Sequence, residues 1–199
     1  MNQRDLPNLL GIFRIVTTPL LVLLIAVAIP WADIAAAILL LAMAISDIVD
    51  GRIARKLQVV SALGVFLDTI SDKIFVAGAL IPMVERGLLP AWLAVIVIAR
   101  EFAVSGLRSF AASAGVVISA RSWGKQKLVF TVTALIWRLI DAAASVTPGI
   151  PGPLLLLTSL WPIPITLALI WTVGSGVEYF WKARSLLRAA LPGRLPTDE

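Results

Sequence analysis

The chain has 199 residues, of which 59% are hydrophobic and 15% charged, with a mean hydropathy of +0.95. It contains no Cys and no His, which excludes disulfides, thiolate or imidazole metal ligands, Cys nucleophiles and Ser-His-Asp triads, and leaves acid, base and metal chemistry to carboxylates. The apolar fraction exceeds the roughly 45–50% of a soluble domain, and the 17 Lys and Arg, against 12 Asp and Glu, cluster between apolar segments where they face anionic head groups rather than nucleic acid.

A helix needs about 20 largely apolar residues to cross the hydrocarbon core. Six segments fit, giving an expected all-α integral membrane protein built as one domain over 1–199, with spans at about 9–29, 34–56, 62–84, 91–112, 123–145 and 153–181. The first follows Arg4 and reads as a retained span rather than a cleaved leader. Pro30-Trp31 separates it from the second. The run from Pro148 to Pro153 cannot continue a helix and closes the fifth, while Pro162 and Pro164 are expected to kink the sixth. Beyond it, Lys182 to Arg194 mixes basic and apolar residues, as a segment lying on the membrane surface would.

Basic residues predict the orientation. Arg52, Arg55 and Lys56 flank the second connection; Arg108, Arg121, Lys125 and Lys127 flank the fourth; Lys182, Arg184, Arg188 and Arg194 follow the last span. The first and fifth connections carry none and the third only Arg86, so both termini are expected on the cytoplasmic side. Charges inside spans are costly and mark functional candidates.

The densest such group is Asp47, Asp50, Asp68 and Asp72. Asp47 and Asp50 are three apart, and Asp68 and Asp72 four apart, so each pair shares a helix face. If the second and third spans form an antiparallel hairpin, Asp50 falls level with Asp68 and Asp47 with Asp72. Four carboxylates then converge in a cytoplasm-facing polar cavity and require protons or cations. Oxygen donors without His or Cys suit hard ions, and two Mg²⁺ or Mn²⁺ would balance them. Such paired ions serve phosphoryl displacement, which makes a diphosphate the expected substrate. Gly51, Ala54 and Gly64 on the same faces leave room for a ligand or, alternatively, let helices pack closely; the Arg55 fork suits a phosphate.

The same residues carry a resemblance. The pattern D-x-x-D-G-x-x-A-R, eight residues, then G-x-x-x-D-x-x-x-D, met in full from Asp47 to Asp72, is similar to the signature of the CDP-alcohol phosphotransferase family. Pro7-Asn8, Arg14 and Pro19 resemble the family's opening helix. The stretch from Ala99 to Arg108 and Gly124-Lys125-Gln126-Lys127 resemble the members that use glycerol 3-phosphate, with Leu128 standing where those have Thr and Thr69 where they often have Pro. The resemblance implies six spans, a homodimer in the cell membrane, and transfer of a phosphatidyl group from CDP-diacylglycerol to glycerol 3-phosphate with release of CMP. It implies Asp47, Asp50, Asp68 and Asp72 as metal ligands, with Asp72 also taking the acceptor's proton, and Gly51, Ala54, Arg55, Ser61 and Gly64 around the CDP-diacylglycerol site. Family members with other acceptors, phosphatidylglycerol or inositol phosphate, remain alternatives, as does a divalent cation transporter from another class.

An acceptor bearing its own phosphate needs a cationic pocket. Arg108, Arg121, Lys125 and Lys127 are the candidates, although positive-inside placement also accounts for the last three. Arg100 with Glu101, and Arg138 with Asp141, read as structural ion pairs, and Trp31, Trp92 and Trp123 as an interfacial belt.

Overall fold

The computed structural model describes residues 6–57, 62–116 and 123–189, all of it helix or short connection. The helices are α1 (Leu6–Ala26), α2 (Pro30–Leu57), α3 (Ala62–Glu85), α4 (Ala91–Ser113), α5 (Trp123–Val146), α6 (Gly152–Thr158) and α7 (Pro162–Ala189). A helix satisfies its own backbone, the requirement that lipid imposes. Four stretches among the described residues are long and apolar enough to cross a membrane: Asn8–Ala26, Pro30–Ile53, Gln126–Val146 and Gly152–Arg184. Charged residues interrupt the other two long helices, α3 with Asp68, Asp72 and Lys73 and α4 with Arg100, Glu101 and Arg108.

Boundaries follow local chemistry. Ala28, at φ 58°, turns the chain sharply after α1, and Pro30 opens α2 where its missing N–H costs nothing. The second span is expected from residue 34, four residues later, which leaves Asp33 in the connection. Asp33 is instead buried and bound by Arg86: one guanidinium nitrogen contacts Asp33 Oδ1 and donates to the Ile25 carbonyl at 2.8 Å, the other donates to Asp33 Oδ2 at 3.0 Å. The sixth predicted span is two helices. Pro162 does not kink a continuous helix; it starts α7 after a break at Ser159-Leu160-Trp161, and the Trp137 indole takes up the Thr158 carbonyl at 3.0 Å. Residues Lys182 to Ala189, the described part of the Lys182–Arg194 stretch expected on the membrane surface, continue α7.

The packing differs from the expected α2–α3 hairpin. Those two helices meet over a short stretch only, and α1 packs extensively against both. Small residues admit it. A Cβ at Gly78 of α3 would come within 2.5 Å of Thr18 Cγ2, and one at Gly11 of α1 would stand 3.3 Å from Leu67 Cβ. Further round the bundle α2 packs on α5, α5 on α7 and α7 on α4. Leu21, Leu40, Met43, Phe75, Leu80, Met83, Leu135 and Leu139, fully or almost fully buried, form the core between α1, α2, α3 and α5. Much of the outer surface is apolar, including Val16, Leu23, Ile38, Ile81, Val95 and Val177, as a lipid-facing bundle requires.

Candidate active site

The centre of the site is Arg14, in the middle of α1 and completely buried. Its Nη1 bonds Asp47 Oδ1, its Nη2 donates to Asp50 Oδ2 at 2.7 Å, and Nη1 lies 3.3 Å from Asp72 Oδ1. One planar fork thus gathers carboxylates from two helices, and α1 is placed between them so that it can do so. The expected levelling of Asp47 with Asp72 holds, because both approach the same guanidinium nitrogen.

The three carboxylates differ in access. The Asp50 side chain is 5% exposed and that of Asp47 14%, whereas Asp72 is 35% exposed. Asp47 and Asp72 border a cavity of about 780 Å³ whose lining includes Gly51, Arg52, Glu101, Gln126, Lys127, Phe130 and Trp171. Its walls are mixed. Phe130 and Trp171 meet as a tilted pair, centroids 4.7 Å apart, and the Trp171 indole donates to Gln126 Oε1 at 3.2 Å. Lys127 enters from the first turns of α5 and bonds Glu101 of α4, which also pairs with Arg100 at 3.3 Å. Arg100 in turn donates to Ser175 Oγ of α7 at 2.9 Å, so α4, α5 and α7 are tied by one polar chain.

Of the sequence-derived candidates, Asp47, Asp50 and Asp72 come together, and Gly51 and Lys127 line the same cavity. Gly64 lies on the first turns of α3. Arg108 is exposed near the end of α4 and turns to α7, with Nε 3.4 Å from Tyr179 Oη and its guanidinium 5.8 Å from that ring; it is not among the cavity-lining residues. Asp68, Ala54, Arg55 and Lys125 sit on described helices, but their side chains lie outside the described residues, as do Ser61 and Arg121 altogether. Arg138 and Asp141 form the expected pair at 2.8 Å; Arg138 also donates to the Leu88 carbonyl and stacks on Trp161.

Sequence reasoning did not place Arg14 among the carboxylates or join Glu101 to Lys127. The available signal for the first was a single cation in the midst of an apolar span, with no acid on its own helix to pair with. Arg52 was assigned to topology alone, yet it borders the cavity.

Oxygen donors, and three described carboxylates set against one guanidinium, fit a hard divalent cation in atom type and charge. Among the described residues no three acidic side chains surround a common metal point, because Arg14 lies between them.

A bundle with a buried acidic cluster opening on a cavity of mixed polar and apolar walls, its outer face apolar, has the form of a membrane enzyme acting on charged groups. The family model for CDP-alcohol phosphatidyltransferases matches residues 4–174, and the chain belongs to that family. It is 34% identical over 198 residues to the CDP-diacylglycerol–glycerol-3-phosphate 3-phosphatidyltransferase of Bacillus subtilis, covering 94% of this chain and 98% of that protein. Proteins of the same name from Rickettsia bellii and Escherichia coli K12 are 31% and 36% identical, over 89% and 69% of this chain and 94% and 78% of theirs. Membership places the chain among phosphatidyltransferases rather than cation transporters.

Proposed function

We propose that this protein transfers the phosphatidyl group of CDP-diacylglycerol to glycerol 3-phosphate, forming phosphatidylglycerophosphate and CMP. The observation that carries the reading is the convergence of Asp47, Asp50 and Asp72 on Arg14 beside a cavity that also contains Lys127. It is supported by relatives of that activity aligned over nearly the whole chain.

Asp47, Asp50 and Asp72, with Asp68, would hold two divalent ions, Mg²⁺ or Mn²⁺. When bound, these neutralise diphosphate oxygens and make a nearby hydroxyl more acidic. The chain's own groups do the rest. Arg14 fixes Asp47 and Asp50 in place and offsets part of their mutual repulsion. Asp72, the most open of the three described carboxylates, accepts the proton of the acceptor's primary hydroxyl. That oxygen forms a bond to the phosphorus carrying diacylglycerol, the bond from that phosphorus to the CMP oxygen breaks, and CMP leaves with the electron pair. Gly51, Ala54, Arg55, Ser61 and Gly64 would line the nucleotide end. Lys127, together with Lys125 and Arg121, would supply positive charge for the phosphate of glycerol 3-phosphate, whereas Arg108, turned to Tyr179 and away from the cavity, would not. Glu101 keeps the Lys127 amine aimed from α4.

The arrangement belongs in a multi-pass cell-membrane protein of six spans, counting α6 and α7 as one, with both termini and the cavity mouth cytoplasmic and a homodimer as the assembly. Acyl chains then stay in lipid while the soluble acceptor enters from water. Purified protein in detergent with CDP-diacylglycerol, glycerol 3-phosphate and Mg²⁺ is expected to release CMP. Release with phosphatidylglycerol or inositol phosphate in place of glycerol 3-phosphate would transfer the reading to another acceptor, and no release with any of them would overturn it.

A further inference from the structure

A second groove, of about 680 Å³, runs between α4 and α7 outside the acidic site. Its trough is made by small residues. Ala99 and Ala103 are one turn apart on α4, and Gly176 on α7 allows the Arg100 stem to lie so close that an added Cβ would meet Arg100 Cγ at 3.2 Å. Val173, Val177, Phe180, Arg184 and Arg188 follow one another at helical spacing along α7 and form the opposite wall, with Trp181 beside them. The four large apolar side chains are exposed, Val177 at 61% and Trp181 at 66%. In a membrane bundle such a wall meets acyl chains.

The charge distribution selects the occupant. Arg184 and Arg188 lie in the last turns of α7, at the end of the bundle where α2 ends and α3 begins, which is the end holding the acidic site. Among the described residues neither forms an ion pair; Arg184 stacks 4.6 Å over the Trp181 ring. Glu178, the acidic residue nearest to them on the helix, is taken by Lys182 at 2.7 Å. A helix C-terminus accounts for one basic residue there through its dipole. It does not account for two arginines set above an apolar trough whose size suits a ligand rather than a gap.

We infer that the α4–α7 groove binds one anionic membrane phospholipid, its phosphate on Arg184 and Arg188 and an acyl chain along Ala99, Ala103, Val173, Val177 and Phe180. The site is separate from the one that takes substrate, since the two cavities share no lining residue. It reads the negative charge of the surrounding leaflet, each arginine favouring an anionic over a zwitterionic lipid roughly fivefold.

Trp181 is a reporter placed in the groove. The full chain is reconstituted with phosphatidic acid or phosphatidylcholine brominated near the head of the acyl chain, and quenching of Trp181 is taken as the difference between wild type and W181F. The expected result is stronger quenching by the phosphatidic acid at equal mole fraction, lost in R184Q/R188Q and reduced in R188Q alone, with CMP release unchanged in R188Q. Equal quenching by both lipids would overturn the inference, as would a preference that survives R184Q/R188Q. No quenching by either lipid would also overturn it, by showing that protein covers the groove. So would reversal by inorganic phosphate, which would make the arginines a simple anion site. CMP release is a separate readout, so failure here leaves the proposed activity standing.

Discussion

Arg14 Nη2 donates to Asp50 Oδ2 at 2.7 Å between two side chains almost wholly withdrawn from solvent, and this bond ties the middle of α1 to the acidic end of α2. Removing one member of a buried pair leaves the other uncompensated, at about 3–5 kcal/mol. R14A is therefore expected to lower the thermal unfolding midpoint in detergent sharply, and R14K less so, because it keeps a charge but loses the fork. If R14A unfolds at the wild-type temperature, the guanidinium is not what holds the carboxylates together.

Asp72 combines contact with Arg14 and an open side toward the cavity. D72N is nearly isosteric and cannot take a proton, so turnover should fall by roughly 10²–10⁴-fold while the fold persists. The measurement is CMP release at saturating substrates alongside the unfolding midpoint. A D72N enzyme with near-normal turnover would move the base elsewhere.

Divalent ions are the remaining part of that chemistry. EDTA is expected to abolish CMP release and added Mg²⁺ or Mn²⁺ to restore it, whereas Ca²⁺, larger and less strict in geometry, should restore little. Activity undiminished after exhaustive chelation would leave the acidic cluster to be balanced by cations of the chain such as Arg14, and would end the metal reading.

The ends of most helices were legible because Pro, Gly and charge clusters punctuate the chain, and α3, α4 and α5 begin where those signals put them. The exceptions have a common physical origin in tertiary partners. The expected start of α2 at residue 34 left out Asp33, which lies buried inside the helix and is bound by Arg86 from just beyond the end of α3. Helical spacing put Asp47 with Asp50 and Asp68 with Asp72 on shared faces, but periodicity names a face, not the helix it packs on. It could not show that α1 stands between α2 and α3 and brings Arg14 with it. The break before Pro162 was invisible for a related reason: a proline preceded by apolar residues reads equally as a kink or as a new first turn.

Lys127 reaches the cavity only in company with Glu101. If it binds the acceptor's phosphate, K127A should raise KM for glycerol 3-phosphate by ~10-fold or more and leave KM for CDP-diacylglycerol nearly unchanged. E101Q should shift the same parameter in a smaller degree, and E101Q/K127A should be no worse than K127A, since Glu101 acts through the amine it holds. Additive losses would give Glu101 an independent role, and an unchanged acceptor KM in K127A would move the phosphate pocket toward Lys125 or Arg121.

The approach of α1 to α3 sets where Arg14 sits, and Gly78 controls that approach. A methyl group there would collide with Thr18 Cγ2 at 2.5 Å, and Thr18, whose hydroxyl donates to the Arg14 carbonyl at 2.7 Å, lies one turn after the arginine. G78A is expected to cost about 1–3 kcal/mol through overpacking and to reduce CMP release by moving Arg14 away from the carboxylates. T18S removes the colliding methyl and keeps the hydroxyl bond, so G78A/T18S should recover both stability and turnover. Recovery of stability without turnover would separate the α1–α3 contact from the geometry of the acidic cluster, and failure of T18S to rescue either would show that the collision at Gly78 is not what limits the approach of the two helices.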